Sequence, residues 1–329
     1  MRNTLKSLVV LSALLAASVL SSPAGAASVA TPKFPTRPLE IIVGFAAGGA
    51  NHLAAENLTP EASAVFGQPI KITCKPGAAT AVANSFVKSA PADGYTLLNG
   101  TLSLPTSIFA GDATYKVEDF TGVAMFSDVP PCLVVRMDSP IKTLKDLQEF
   151  AAKNPGKFSW GHPGVGAAVT LGGALMMFEM GIHDKVKEVP FNGTNESVAQ
   201  LLGGHIHAVA SFPATVKEQV RAGNLRVLGV SGTKRSDDYP DVLTFPEQGF
   251  PNVTLTSSRG IFVRSNTPPE IIAVLEAGFK QIIESEAFRQ RAITLGETPV
   301  FMNSKDFTAL YRQQCAMVQD VMKKVGLID

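Results

Sequence analysis

The stretch Leu39-Glu40-Ile41-Ile42-Val43-Gly44-Phe45-Ala46-Ala47-Gly48-Gly49-Ala50-Asn51 decides the fold class. Its first five residues are apolar apart from Glu40, the pattern of a buried strand. Small residues from Gly44 to Ala50 then let the backbone turn tightly. A helical spacing of apolar residues runs from about Ala50 to Phe66, and Ile70-Lys71-Ile72-Thr73 reads as the next strand. Tyr95-Thr96-Leu97-Leu98 follows the turn signal Ala92-Asp93-Gly94, and Leu133-Val134-Val135 is a further short apolar run. Strand-like and helix-like segments in alternation predict an α/β class with largely parallel sheets.

The Gly-rich turn also carries chemistry. N–H groups at a helix start have no partner within the helix and attract an anion. A phosphate-binding P-loop requires Gly-Lys-Ser/Thr at this place. The chain supplies Gly49-Ala50-Asn51, which argues against a nucleotide and for a carboxylate. An ordinary tight strand–helix turn is the alternative. A second such turn, Gly161-His162-Pro163-Gly164-Val165-Gly166-Ala167-Ala168-Val169-Thr170, follows the strand-like Phe158-Ser159-Trp160. Val169 stands where a dinucleotide fingerprint needs glycine. Two small-residue turns, one in each half of the chain, predict a ligand held between two lobes.

Several helices have legible ends. Thr143 with Asp146 resembles a capping box, with Leu144, Leu147, Phe150 and Ala151 on one face. Ala214 to Ala222 is closed by Gly223, and Thr267 before Pro268-Pro269 opens a long helix. Ser304 opens a last amphipathic helix carrying Phe307, Leu310, Tyr311, Val318, Val321 and Met322. No internal repeat or low-complexity linker separates independent modules.

At the amino terminus, Arg2 and Lys6 precede an apolar run from Leu8 to Leu20, and Ala24-Gly25-Ala26 follows. This is the layout of a secretory signal peptide over residues 1–26, cleaved after Ala26. The run spans about 13 residues against the roughly 20 that cross a bilayer. The expected mature protein is soluble and periplasmic. Its net charge would fall from +1 to about −1 with the loss of Arg2 and Lys6. A near-neutral chain gives no electrostatic case for nucleic acid or an anionic membrane.

Cys74, Cys132 and Cys315 lie far apart without metal-ligand spacing, and buried free thiols are the favoured reading, though one disulfide is open to them. His205 and His207 would share a strand face and could bind a metal, but no further ligand is near in sequence. A solvent-facing strand is the favoured alternative. His52, beside the first turn, could touch ligand or lie on the helix surface. There is no G-x-S-x-G nucleophile motif; Gly229-Val230-Ser231-Gly232 lacks the final spacing. No catalytic residue, metal site or cofactor is expected.

The ordered set of motifs resembles the solute receptors of tripartite tricarboxylate transporters, the Bug or TctC type. It begins with Pro35-Thr36-Arg37-Pro38, Ile41-Ile42-Val43-Gly44-Phe45, Gly48-Gly49-Ala50, Pro76-Gly77-Ala78 and Asp93-Gly94-Tyr95-Thr96. It continues through Asn154-Pro155-Gly156-Lys157, Val189-Pro190-Phe191-Asn192-Gly193, Leu201-Leu202-Gly203-Gly204 and Arg221-Ala222-Gly223-Asn224 to Glu247-Gln248-Gly249. The resemblance implies a two-lobed periplasmic binding protein of the type II class with the ligand cleft between lobes. Residues 28–131 and 258–329 would form lobe one, and 132–257 lobe two. It implies binding of a small mono-, di- or tricarboxylate, or an aromatic acid, by a monomer that hands it to integral-membrane transporter subunits.

Carried over by position, the first turn offers Phe45, Ala46, Gly49, Ala50 and Asn51, and the second Val165, Gly166, Ala167, Ala168 and Thr170. Thr101, Leu102 and Ser103 match a loop that can line the cleft, and Asn192 and Ser211 lie at later cleft positions. The family commonly has Asp where Asn51 and Ser211 stand, His where Thr170 stands, and Ser-rich residues at Ala167 and Ala168. Fewer carboxylates remove partners for a ligand's ammonium group and favour an acid without an α-amino group. A periplasmic enzyme or a sensory module acting on the same acids is the alternative.

Overall fold

In a computed structural model, residues 34–109, 111, 113–164, 167–191, 193–324, 326 and 328 are described. The expected signal peptide lies outside them. The described strands are β1 (Leu39–Val43), β2 (Ile70–Cys74), β3 (Thr96–Gly100), β4 (Phe120–Val129), β5 (Cys132–Arg136), β6 (Phe158–His162), β7 (Val186–Pro190), β8 (Ala208–Ser211), β9 (Leu225–Val230), β10 (Ser257–Arg264) and β11 (Pro299–Met302). The α-helices are α1 (Ala50–Glu56), α2 (Ala62–Phe66), α3 (Ala81–Ser89), α4 (Ser103–Phe109), α5 (Leu144–Lys153), α6 (Ala168–Glu179), α7 (Thr194–Leu202), α8 (Pro213–Arg221), α9 (Pro269–Ile283), α10 (Glu286–Thr294) and α11 (Ser304–Lys324).

The strands form two sheets, ordered β11-β4-β10-β3-β1-β2 and β7-β6-β8-β5-β9. In the first, β1 runs parallel to β2 and β3, β10 lies antiparallel between β3 and β4, and β11 adds an antiparallel edge on β4. In the second, β6 runs parallel to β7 and β8, and β5 lies antiparallel to β8 and β9. The sheets are therefore mixed rather than largely parallel. The chain leaves the first sheet after β4 through Pro130-Pro131 and returns before β10.

Alternate residues of the first sheet face opposite layers. Leu39, Ile41, Val43, Leu97, Ile261 and Val263 pack with buried residues of α1, α2, α9 and α10. Ile42, Leu98 and Phe262 pack with α3, α4 and α11 on the other side. In the second sheet, Phe158, Trp160, Leu133 and Val135 share a core with α5 and α6. A separate apolar cluster joins the two systems: Leu102 before α4, Leu171 and Leu175 of α6, Leu255, and Val318, Val321 and Met322 of α11.

Local signals explain the helix ends. The Thr143 side chain accepts from the Asp146 N–H while Asp146 accepts from the Thr143 N–H, so the expected capping box closes α5. The continuous helix expected from Ala50 to Phe66 is instead broken between α1 and α2, around Pro60. Arg291 of α10 occupies the break. It donates to Asn57 Oδ1 at 2.6 Å, to the Asn57 carbonyl at 3.2 Å and to both carboxylate oxygens of Glu61 at 2.8 Å. His205 and His207 precede β8 rather than lying on it. All three cysteines are free, with Cys132 and Cys315 buried.

Beyond β9, Arg235 grips Glu247 through three contacts of 2.8–3.0 Å. The guanidinium, with the Thr244 N–H next, holds the Glu247 carboxyl at about 2, below its ordinary 4.5. A depressed folded-state value means this stabilisation is complete above about 4.5 and is lost as pH falls towards about 2. Denaturant midpoints of the wild-type protein and Glu247→Gln should therefore converge across that window. A gap that stays constant down to pH 2 would refute the assignment.

Candidate ligand site at two Gly-rich turns

The first turn connects β1 to α1. At Gly44 an added Cβ would lie 2.7 Å from Thr80 Cβ, so the strand end approaches its neighbour as only glycine allows. Gly48 has φ of +80°, whereas Gly49 is extended at φ −76° and serves as the N-cap of α1. The conformational demand for glycine therefore falls on Gly48. The His52 side chain is turned onto the turn itself: its Nδ1 accepts from the Gly48 N–H at 3.3 Å, and its Nε2 lies 3.4 Å from Glu56. The Gly49 N–H is turned back to the Ala46 carbonyl at 3.3 Å. The N–H groups that begin the helix beyond Gly49, at Ala50 and Asn51, are those that helix geometry leaves for a ligand. Ala46, Gly49 and Ala50 are exposed, and Phe45 and Asn51 are half-buried.

Asn51 is anchored from two sides. Its backbone carbonyl accepts from Asn99 Nδ2 at 3.0 Å, and its side-chain Oδ1 accepts from Arg259 Nε at 2.8 Å. Arg259, only 5% exposed, forms an ion pair with Glu297, which is 9% exposed and also accepts from Ser127 Oγ. Sequence reasoning missed both residues. A charge beside the apolar run Gly260-Ile261-Phe262-Val263 was a signal for Arg259; nothing marked Glu297. Glu297 also lines a cavity of about 720 Å³, with Val129, Pro213, Lys217, Arg221 and Arg289 among its other walls.

The loop after β3 is mostly committed to its own fold. Thr101 Oγ1 accepts from the Ser103 N–H at 3.2 Å, and the Ser103 carbonyl accepts from Ser107 Oγ at 3.0 Å. Leu102 is 1% exposed within the cluster that joins the sheets. Ala168 packs against that same cluster, which brings the start of α6 beside the loop after β3.

The second turn is organised by His162 at the end of β6. Its Nδ1 accepts from the Gly164 N–H at 3.1 Å, so the neutral ring carries its proton on Nε2. Nε2 lies 3.0 Å from Glu188 Oε1 without the alignment of a hydrogen bond. Thr170, 2% exposed, donates to the Gly164 carbonyl at 2.5 Å. That hydroxyl staples the turn, which has φ of +104° at Gly164. The ring of Trp160 stands 5.1 Å from that of His162, and an added Cβ at Gly173 of α6 would lie 2.4 Å from it. Ala167 caps α6 in extended conformation, and Ala168 is its first residue. Val165, Gly166 and Asn192 lie outside the described residues. Ser211, at the end of β8, is fully buried; its hydroxyl donates to the Phe212 carbonyl at 3.3 Å.

Each sheet thus presents a glycine-bearing turn from the carboxyl end of a parallel strand into a helix, the usual place for a ligand in such sheets. At the first turn the helix-start N–H groups of Ala50 and Asn51 suit oxygen acceptors on a ligand. Among the described residues no group of three or more His, Cys, Asp or Glu could hold a metal ion, and no helix is long and apolar enough to cross a membrane.

Residues 54–327 match the model of the tripartite tricarboxylate transporter family receptor. The chain is similar to the UPF0065 protein in the gbd 5' region of Cupriavidus necator, with 31% identity over 95% of this chain and 94% of the relative. It is also similar in structure to a TctC solute-binding protein from Polaromonas, with 27% identity, a TM-score of 0.81, and 88% of this chain and 99% of that one covered. A third likeness is to the Rpa4515 protein of R. palustris with adipate, at 25% identity, TM-score 0.74, and 89% and 98% covered.

Proposed function

The chain belongs to the receptor family of the tripartite tricarboxylate transporters, and from that premise we propose that it captures a small organic carboxylate in the periplasm and delivers it to integral-membrane transporter subunits. The observation that carries the reading is the pair of glycine-bearing strand-to-helix turns, one from each sheet, each opening a helix whose N-cap residue makes no side-chain hydrogen bond to it. A carboxylate fits such helix starts without a metal or cofactor. The related protein with adipate supports a dicarboxylate as the first class to test. Asn51 and Ser211 supply no negative charge, which favours an acid without an α-amino group.

The proposed lobes are 28–131 with 258–329, and 132–257. The two sheets support this division, because β10 and β11 complete the first sheet after the chain has built the second. Export through a cleaved segment at residues 1–26 and action as a monomer belong to the same proposal.

Calorimetry against mono-, di- and tricarboxylates tests it. Gly48→Val is the informative variant: its Cβ meets nothing within 4 Å, so the penalty is backbone conformation alone. A β-branched residue at φ of +80° should displace the turn and weaken binding by roughly tenfold or more, with the circular dichroism spectrum unchanged. Equal affinity in this variant would remove the first turn from the site.

A further inference from the structure

Arg259 is out of place by the rules of burial. It sits on β10 between strands β3 and β4, is 5% exposed, and is followed by Gly260-Ile261-Phe262-Val263. A guanidinium has donors only. Its Nε points at Asn51 Oδ1 at 2.8 Å, while another of its nitrogens pairs with Glu297. This fixes an orientation that an asparagine otherwise leaves open. If the Asn51 carboxamide were flipped, its NH₂ would face Nε–H, donor against donor, in a buried place where an unmade hydrogen bond is costly. The Asn51 backbone cannot swing away either, because Asn99 holds its carbonyl at 3.0 Å. Among the described residues Asn51 Nδ2 has no hydrogen-bond partner.

Resting on the receptor reading above, we infer that Arg259 is a positioning residue that sets ligand selectivity. By consuming Asn51 Oδ1 it leaves the first turn with donors only: the carboxamide NH₂ beside the backbone N–H groups of the helix start. Such a surface accepts a carboxylate, hydroxyl or keto oxygen and offers nothing to an ammonium group. Glu297 matters as much as Arg259, because it cancels the guanidinium charge within the cluster. Discrimination then follows from hydrogen-bond polarity rather than net charge. Asn51 without Arg259 could turn its oxygen to the ligand and accept from an ammonium as readily as it donates to a carboxylate.

The test is a ratio. Affinities are measured by calorimetry for succinate against aspartate and for adipate against 2-aminoadipate. Wild-type protein should prefer the amino-free member by about tenfold or more, the worth of one hydrogen bond to a charged group. The double variant Arg259→Gln, Glu297→Gln keeps the cluster neutral and polar but lets Asn51 flip. Its ratio should collapse towards unity. Asn51→Asp retains a partner for Arg259 and so keeps the fold even if the double variant does not. It turns a carboxylate oxygen to the ligand, and its ratio should fall or invert. A merely structural role would weaken both members of a pair equally. Ratios within about twofold of wild type in the variants that fold therefore overturn the inference. Wild-type protein that binds neither pair nor any other carboxylate overturns the receptor reading itself, and this inference with it.

Discussion

Glu297→Ala is expected to destabilise the protein by about 3–5 kcal/mol, the penalty for stranding one partner of a buried ion pair. The side chains of Arg259 and Glu297 are 7% and 6% exposed, so each is largely withdrawn from water and depends on the other to balance its charge. Three elements meet at the pair: β10, the start of α1 through Asn51, and β4 through Ser127. Among the described residues, removing Glu297 leaves the guanidinium with the Asn51 oxygen alone. The surface pair Arg221–Glu218, with side chains 67% and 79% exposed, provides the contrast, since Glu218→Ala should change stability little. Urea unfolding followed by circular dichroism measures both. A Glu297→Ala midpoint close to that of Glu218→Ala would mean that water reaches the pair and that its burial has been misjudged. Substituting both members at once by neutral residues avoids the stranded charge, which is why the selectivity test uses a double variant.

Phe307→Ala should cost a similar amount, about 3–5 kcal/mol, for a different reason. Its ring, 1% exposed, fills space that two glycines leave open. A Cβ at Gly122 of β4 would lie 2.6 Å from the ring, and one at Gly260 of β10 only 2.2 Å from it. Phe262 packs beside it with ring centroids 4.8 Å apart. Truncation therefore opens a void whose floor is the bare backbone of two glycines. This places the substitution in the upper part of the range for such changes. A sign reversal checks the explanation. Gly122→Ala should destabilise the wild-type protein, because its methyl meets the ring. In the Phe307→Ala background the atoms it would strike are gone, and it should restore part of the loss. Additive effects of the two substitutions would show that the ring and the glycine do not share one space.

The first strand was legible to the residue, since Leu39–Val43 is both the apolar run and β1. The capping box at Thr143 and Asp146 was equally plain, because both partners lie within one turn. Other features depended on residues distant in sequence. The apolar spacing ran through Pro60 without interruption, yet the helix breaks there, and the exposed backbone is met by Arg291. Two adjacent glycines, Gly48 and Gly49, are interchangeable on paper; only the fold shows that the left-handed conformation falls on the first. Thr170 was legible as a polar residue of the second turn and Ser211 as a cleft position implied by the family resemblance, but neither as a hydroxyl already committed to a carbonyl group of its own chain. The Asn51–Arg259–Glu297 cluster joins three distant parts of the chain, and no local pattern foretells it.

The packing around Trp160 has an optical consequence. It is the only tryptophan in the chain, and it lies two residues before the histidine that organises the second turn. Its indole is 2% exposed, set against the imidazole of His162 on one side and the bare backbone of Gly173 on another. Emission excited at the red edge of the protein band therefore comes from a single chromophore in an apolar setting. A nearby imidazole quenches indole fluorescence according to its distance and protonation. Any movement of the 161–164 segment alters that distance, so intensity and lifetime report such movement in the unlabelled, unmodified protein.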